Sequence, residues 1–509
     1  MEKRKNMNSG FACSLIFILY FLAGCETKTK LFVEELPKHR IIVLTDILNE
    51  PDDSQTLVRL LMYSNEVDIE GLIAVSSCHQ YKGKNDPNPD RNTVHPDEIR
   101  KYISAYGEVR ENLLKHKDGW PTTAYLMEVV GAGPEGFGTR DIGPGLSTSG
   151  SEIICNAIKK HDKRPLYIII NGGANCLAQG LIDLGQQKSG EELDELLKNV
   201  RVCDNAGQDN AGAWIAHNYP DLHYKRSSHQ VYNFMNQTGP AVWDTTWYPG
   251  KAQHLWAAEH IQNNHGALGA IYPTRMRWKD PTTFSTIEGG GSGNFIGFVN
   301  RGLYHPEHID WGGWGGRFKT EKEKNIYANQ LKWAEEDLFY SEDEFKPYFM
   351  YPETSDNWTD PITGKEYNGI GVPIFRWRRA YQNDFRARMD WCVDDFLTAN
   401  HNPVAAVNGD KTDGIVHVNV IAGSTVMLDA SASTDPDSDE LSFRWFFYSE
   451  AGTYQGSVQL SEKDNAATEI HVPVDAGGKQ IHIILEVEDK HPEVPLTAYR
   501  RVIIKATNK

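Results

Sequence analysis

The chain has 509 residues, a formal net charge of −17, 13 Trp and 22 Tyr. That length exceeds one hydrophobic core and predicts two or three domains. The acidic balance argues against nucleic acid as a partner, since phosphate binding needs a basic face, and the 40% apolar share excludes disordered and fibrous classes.

The N-terminus reads as an export signal. Lys3, Arg4 and Lys5 precede an apolar run from Phe11 to Ala23, too short to span a bilayer. The run ends in Leu22-Ala23-Gly24-Cys25, which resembles a bacterial lipobox. Residues 1–25 are therefore expected to be a lipoprotein signal peptide and residues 26–38 a polar tether. A lipid on Cys25 would anchor the exported protein in the bacterial cell envelope, periplasmic or surface-exposed. Cys78, Cys155, Cys176, Cys203 and Cys392 follow the signal. Their number is odd and no CxxC spacing occurs, so neither a disulfide framework nor a zinc site is expected.

From His39 the pattern alternates strand and helix. Ile41–Asp46 is predicted as a strand and Ser54–Tyr63 as a helix, with Ile69–Ser76 and Asp97–Leu114 next. After a glycine-rich stretch come a helix over Glu152–Lys160 and a fully apolar strand over Leu166–Asn171. Helices over Ala174–Leu184 and Glu191–Lys198, a strand at Val200–Cys203, a helix over Asn210–Asn218 and a strand at Leu222–Lys225 continue the series. Ala252–Gln262 is helical again. This alternation predicts an α/β fold: a mostly parallel sheet with helices on both faces, over residues 39–330. Helices at Glu321–Leu338 and Trp377–Leu397 flank an aromatic stretch, so residues 331–400 are expected to be an extension packed on that domain. Residues 401–509 carry short alternating strands. Gly423–Asp437 contains a DxSxSxDPD-like turn, and Leu441–Tyr448 carries Trp445, a pattern similar to the polycystic-kidney-disease-type immunoglobulin-like β-sandwich. The Asp435, Asp437 and Asp439 cluster is read as a turn in preference to a calcium site.

The chemistry-bearing stretch is Ile41–Asp53. Asp46 follows the strand, and Asp52 and Asp53 open the next helix. Ligands bind at the C-terminal ends of strands in such sheets, and a hard cation would relieve the repulsion of three carboxylates there. The alternative is that Asp52 or Asp53 caps the helix and Asp46 faces solvent. Asn171-Gly-Gly-Ala-Asn175, Asp204-Asn205 with Asp209, and Ser77-Cys78-His79 follow the neighbouring strands and would converge on the same edge.

These segments resemble a known family. Thr45-Asp46 with Asp52-Asp53 is similar to the DTDxxxDD signature of the nucleoside hydrolase fold, with a longer turn. Gly172–Ala178 resembles its GPLTNxA segment, and Asn205 to Asn210 its NxxxDPEAA segment. Ser64–Ala74 and Gly302–Arg317 match the nucleoside-hydrolase-like domain of the cellulose-binding-protein family of bacterial secreted proteins. The resemblance implies a Ca²⁺ held by Asp46, Asp53 and the Ala174 carbonyl, with Asp46 as general base. It also implies that Asp52, Asn171, Asn175 and Asn205 contact a sugar. The sequence departs from the family where a Gly-Asp-Thr-Pro segment should supply a last carboxylate: here stands Glu288-Gly-Gly-Gly-Ser-Gly-Asn294. Glu288 or a water would take that place, or the metal is lost. Two functions follow from the resemblance. One is a secreted hydrolase of N- or O-glycosidic bonds with a calcium-assisted aspartate base. The other is a non-catalytic lipoprotein that binds carbohydrate, a cellulose-like polysaccharide, on a degenerate fold. Trp243, Trp247, Tyr248, Trp278, Trp311 and Trp314 crowd the late loops, either as a saccharide platform or as packing between domains.

Overall fold

A computed structural model of the chain describes residues 30–48, 50–83, 89–231, 253–274, 289–299, 302–328, 331, 334 and 341–508. The signal peptide, Glu288, Trp243, Trp247, Tyr248 and Trp278 lie outside these residues.

The first layer system is an eight-stranded sheet. β2 (His39–Thr45), β3 (Val67–Ala74), β4 (Val130–Ala132), β5 (Leu166–Ile170), β6 (Val200–Asn205), β7 (His223–Ser227), β8 (Glu323–Lys324) and β9 (Phe349–Pro352) build it. Their order is β4-β3-β2-β5-β6-β7-β9-β8, parallel except where β8 meets β9. Successive side chains of β2 alternate faces: Ile41 and Val43 join one core, Ile42 and Leu44 the other. Burial on both faces is what allows strands as apolar as Leu166–Ile170. On the first face lie α1 (Pro51–Leu61), α2 (Pro96–His116) and the helix Arg378–Asp390. On the second lie the helices Ser149–Lys159, Asn175–Gln187, Gly190–Leu197 and Ala211–Asn218. Capping boxes at Thr148/Ser151 and Ser189/Glu192 start two of these.

The C-terminal unit is a β-sandwich. β10 (Asp356–Thr359) and β11 (Glu366–Gly369) form a hairpin before it. β12 (Ile415–Ile421), β13 (Thr425–Asp429), β14 (Leu441–Phe447), β15 (Gln459–Leu460), β16 (Ala467–His471), β17 (Gln480–Asp489) and β18 (Thr497–Thr507) make two sheets around Trp445. The five cysteines after the signal are buried and free.

Four expectations are corrected. Residues 30–34, read as tether, form β1 (Lys30–Glu34), which pairs antiparallel with β12 and completes the sandwich sheet β1-β12-β18-β17-β14. Residues 331–400 are more than an extension, because β9 is a strand of the large sheet beside β7. The helix expected over Glu321–Leu338 is replaced, among the described residues, by β8 and turns. The second, expected over Trp377–Leu397, stops at Asp390 and gives way to turns.

Candidate functional site

The loops after β2, β3, β5 and β6 meet at one edge of the sheet, as parallel topology requires. Asp46 is 3% exposed just beyond β2. Its Oδ2 accepts the Ser77 hydroxyl, while its Oδ1 is buried with no hydrogen-bond donor. Asp53 is 8% exposed in the first turn of α1, and its Oδ1 accepts the Thr45 hydroxyl. Asp52 sits half-buried beside it. Neither aspartate is the cap. Glu50 occupies that position without a side-chain cap bond, and Pro51 begins the helix. Burial pushes the Asp46 carboxyl up. Burial first, then the charges of Glu50 and Asp46, push Asp52 well up. Burial, then Asp46 and Asp52, do the same to Asp53. The turn from β2 into α1 carries Leu48 at φ 85°, and the turn after β6 carries Ala206 at φ 65°. Non-glycine residues rarely adopt this region, and such strain concentrates at functional loops.

Opposite the carboxylates stand amides. Asn171 Oδ1 accepts from Asn294 Nδ2 at 3.1 Å, and Asn171 Nδ2 has no partner. Asn205 Oδ1, Gln208 Oε1 and Ser292 Oγ are buried and equally unpartnered. Gln208 Nε2 donates to the Asn171 carbonyl at 2.5 Å, which fixes the β6 loop against the β5 loop. The segment Gly289–Asn294 closes this edge. Gly289 N–H donates to Gln55 Oε1 at 3.0 Å, and a Cβ on Gly291 would fall 2.1 Å from Asn171 Nδ2. The segment that departs from the family pattern therefore does reach the site, and from residue 289 onward it brings glycines, Ser292 and Asn294.

The glycines of Asn171–Asn175 make room for protein: a Cβ on Gly172 would meet Asp46 N at 3.0 Å, and one on Gly173 would meet Asp209 Oδ2 at 2.5 Å. Asn175 Nδ2 donates to the Gly136 carbonyl at 3.0 Å, leaving Oδ1 buried and unpartnered. The Ala174 carbonyl already accepts Ala178 N–H at 3.0 Å as the first helix acceptor. A second lone pair is left for a cation.

The residue that organises the loop is Asp209. Its Oδ2 accepts Asn175 N–H and its Oδ1 accepts Ala211 N–H, both at 3.0 Å, so one carboxylate starts two helices. Burial pushes its carboxyl up to about 7 against those donors. The sequence marks Asp209 by its place after β6 and by its likeness to the Asp of the NxxxDPEAA segment. Gln55 and Gln208 are further site residues that spacing does not single out.

Among the described residues no group of three or more His, Cys, Asp or Glu side chains is placed to hold a metal ion. The orphaned Asp46 oxygen and the Asp46 and Asp53 carboxyls, both pushed up first by burial, fit a hard cation with two carboxylates and neutral oxygens, a donor set of low charge. Trp311 and Trp314 are buried at the domain seam: Trp311 stacks on His308 at 3.9 Å, and Trp314 meets Tyr381 and Tyr499 edge-on. They pack domains together and form no platform.

Residues 40–318 match the family model described as cellulose-binding Sde182, nucleoside hydrolase-like domain. The chain belongs to this family. Residues 425–506 match the model of the C-terminal domain of cellulose-binding protein Sde0182, which covers most of the sandwich. Among solved structures, the chain is similar to a nucleoside hydrolase-related hypothetical protein from Saccharophagus degradans that is associated with carbohydrate metabolism. The two share 35% identity over 92% of this chain and 100% of that chain, with a TM-score of 0.76. No curated protein matches the chain.

Proposed function

We propose that the protein binds carbohydrate and that the strand-end site receives part of it. One observation carries this reading. Asp46 Oδ1, Asn171 Nδ2, Asn175 Oδ1, Asn205 Oδ1, Gln208 Oε1 and Ser292 Oγ are all buried without partners around one edge of the sheet. Each unmet buried polar group costs about 1–3 kcal/mol. A polyhydroxylated ligand brings donors and acceptors for all of them, whereas an apolar ligand brings none. Asp46, Asp53 and the Ala174 carbonyl would hold Ca²⁺. When bound, that ion would supply a hard electrophile for sugar hydroxyls. Asp52, Asn171, Asn175 and Asn205 would contact the sugar. The family's printed name, cellulose-binding, favours the same class of partner. A lipid on Cys25 would keep the protein on the cell envelope.

Calorimetry with mono- and disaccharides, with and without Ca²⁺, tests this reading together with retention on insoluble glycans. Binding weakened at least tenfold by Asn205→Ala is expected. No heat with any sugar and no retention on any glycan sinks it.

A second reading is hydrolysis. It is favoured by Asp46, whose raised carboxyl and donor-free oxygen suit a group that takes a proton from water. In that reaction Asp46 accepts one proton while the water oxygen bonds to the anomeric carbon, and the glycosidic bond breaks with its electron pair on the leaving base or alcohol oxygen, which takes up a proton from solvent. Sugar release from nucleosides or oligosaccharides with added Ca²⁺, abolished by Asp46→Asn, supports it. No release from a broad panel leaves binding alone.

A further inference from the structure

A groove of about 360 Å³ lies where the β10–β11 hairpin and the start of the helix Arg378–Asp390 meet the β14–β17 face of the sandwich. It is far from the strand-end carboxylates in the chain and shares no lining residue with them. Its hairpin and helix walls belong to the segment between the two family-model matches, and its β14–β17 wall to the second match. The volume lies in the range of small-ligand sites.

The lining combines flat apolar faces with paired charges. Trp358 is half-buried. Tyr367 backs it in a stacked contact at 5.7 Å, and Phe375 fixes it edge-on at 6.1 Å. A ring braced this way keeps its orientation, so stacking on it costs little side-chain entropy. Phe443 lies half-buried in the same groove, and Ile362 is 53% exposed beside it. Around these rings two ion pairs are formed. Arg379 Nη1 meets Glu488 Oε2 at 2.7 Å, and Arg444 Nε meets Glu486 Oε2 at 2.6 Å. Asp360 and Asp464 add two carboxylates to the lining, so an anion would have to break a pair and would be repelled as well. A neutral ligand would not, and it would find both N–H donors and carboxylate acceptors at the rim. A pyranose has this character: one flat face of C–H groups and an edge of hydroxyls.

We propose that this groove binds the polysaccharide chain, with Trp358 as the stacking platform, as a second saccharide site separate from the strand end. The proposal rests on the carbohydrate reading above and adds where a polymer is gripped. The groove is held jointly by the two domains, so the sandwich takes part in binding and is more than a spacer.

The test is retention of the purified protein on insoluble cellulose, with hydrogen exchange of the wild type on adding cellohexaose. Trp358→Ala is expected to weaken retention about tenfold or more, in line with loss of an aromatic anchor, while Met427→Ala, exposed on β13 and outside the groove, retains binding. Exchange should slow at residues 356–362 and 441–444. That measurement needs no variant, so a misfolded Trp358→Ala protein does not blur it. Slowing only at residues 171–175 and 289–294, or retention lost in Asp46→Asn and kept in Trp358→Ala, overturns the groove while the carbohydrate reading stands. A wild type that is retained on no glycan overturns both.

Discussion

Asp204 near the end of β6 and Asp46 just past β2 are two buried carboxylates at the same edge of one sheet, 2% and 3% exposed. Asp204 is fully employed. Arg226 Nε and the Tyr224 hydroxyl each donate to Oδ2 at 2.8 Å, and Gly207 N–H donates to Oδ1 at 3.1 Å. Arg226 extends the network to Glu342 at 2.9 Å, which in turn takes the Tyr348 hydroxyl at 2.8 Å. Asp46 has Ser77 on one oxygen, nothing on the other, and Asp52 and Asp53 as neighbouring charges. Equal burial thus conceals opposite roles. A charge met by an arginine holds the fold together, and a charge met by other carboxylates is held in reserve for a ligand.

The comparison breaks most visibly if Arg226 is removed. Arg226→Met strands Asp204 and Glu342 as buried unpaired charges, and a loss of about 3–5 kcal/mol is expected from the chemical denaturation midpoint. Asp46→Asn should do the reverse. It takes away a repelled charge and keeps an acceptor for Ser77, so the midpoint should hold or rise. The wild type should gain stability with added Ca²⁺, by about 2.7 kcal/mol at a hundredfold excess over Kd, and Asp46→Asn should gain none. A destabilised Asp46→Asn protein and a wild type indifferent to Ca²⁺ would place Asp46 with Asp204 as a structural group.

The contrast between these strand ends also marks what could be read from residues alone. β2 and β5 are legible because burial on both faces forces apolar runs, Ile41–Leu44 and Leu166–Ile170. β4 is three residues long and β9 ends in Pro352, so neither carries a periodic signal. β1 hides because Lys30–Glu34 looks like polar linker until the edge of β12 pairs with it. At the site, Asp46, Asn171 and Asn205 are legible as polar residues at strand ends, and Asp53 as a carboxylate opening the next helix. The roles of Gly172, Gly173 and Asp209 are not, because they depend on contacts between loops more than 30 residues apart. A glycine beside a site reads the same whether a ligand or a carboxylate needs the room.

The seam supplies a pH-dependent counterpart. His305 Nδ1 accepts Glu307 N–H at 3.2 Å, which leaves Nε2 facing Glu34 Oε1 of β1 at 3.5 Å. His308 and Trp311 pack edge-on against its ring. Burial first, then the His308 charge, pushes the imidazole down to about 4, against the pull of Glu34. The folded state therefore refuses a proton that the unfolded chain accepts near pH 6.5. Its stabilising contribution is complete above pH 6.5 and is lost as pH falls toward about 4. Glu34, held low by His417 and His305 against its own burial, loses its contribution in the same direction. A loss of about 3 kcal/mol from His305 is expected across this window. His305→Asn should flatten the slope in part, since His223, also pushed down to about 4 by burial, retains its share. An unchanged slope would remove His305 from the account.

The smallest effect separates two acidic clusters. In the sandwich turn, Asp435 Oδ1 accepts Asp437 N–H at 2.8 Å and Asp439 N–H at 3.0 Å, and Asp437 accepts His401 N–H at 2.7 Å. Here carboxylates meet backbone donors, as in an Asx-type turn. Asp435 Oδ2 and Asp439 Oδ2 are nevertheless buried without donors, as Asp46 Oδ1 is. Asp435→Ala should therefore cost only about 1 kcal/mol, the worth of ordinary hydrogen bonds. It should leave the Ca²⁺ titration of the wild type unchanged. Calcium uptake that survives Asp46→Asn and disappears with Asp435→Ala would move the cation from the sheet to the sandwich. An unpartnered oxygen would then mark a cation site even in a turn that the backbone already holds.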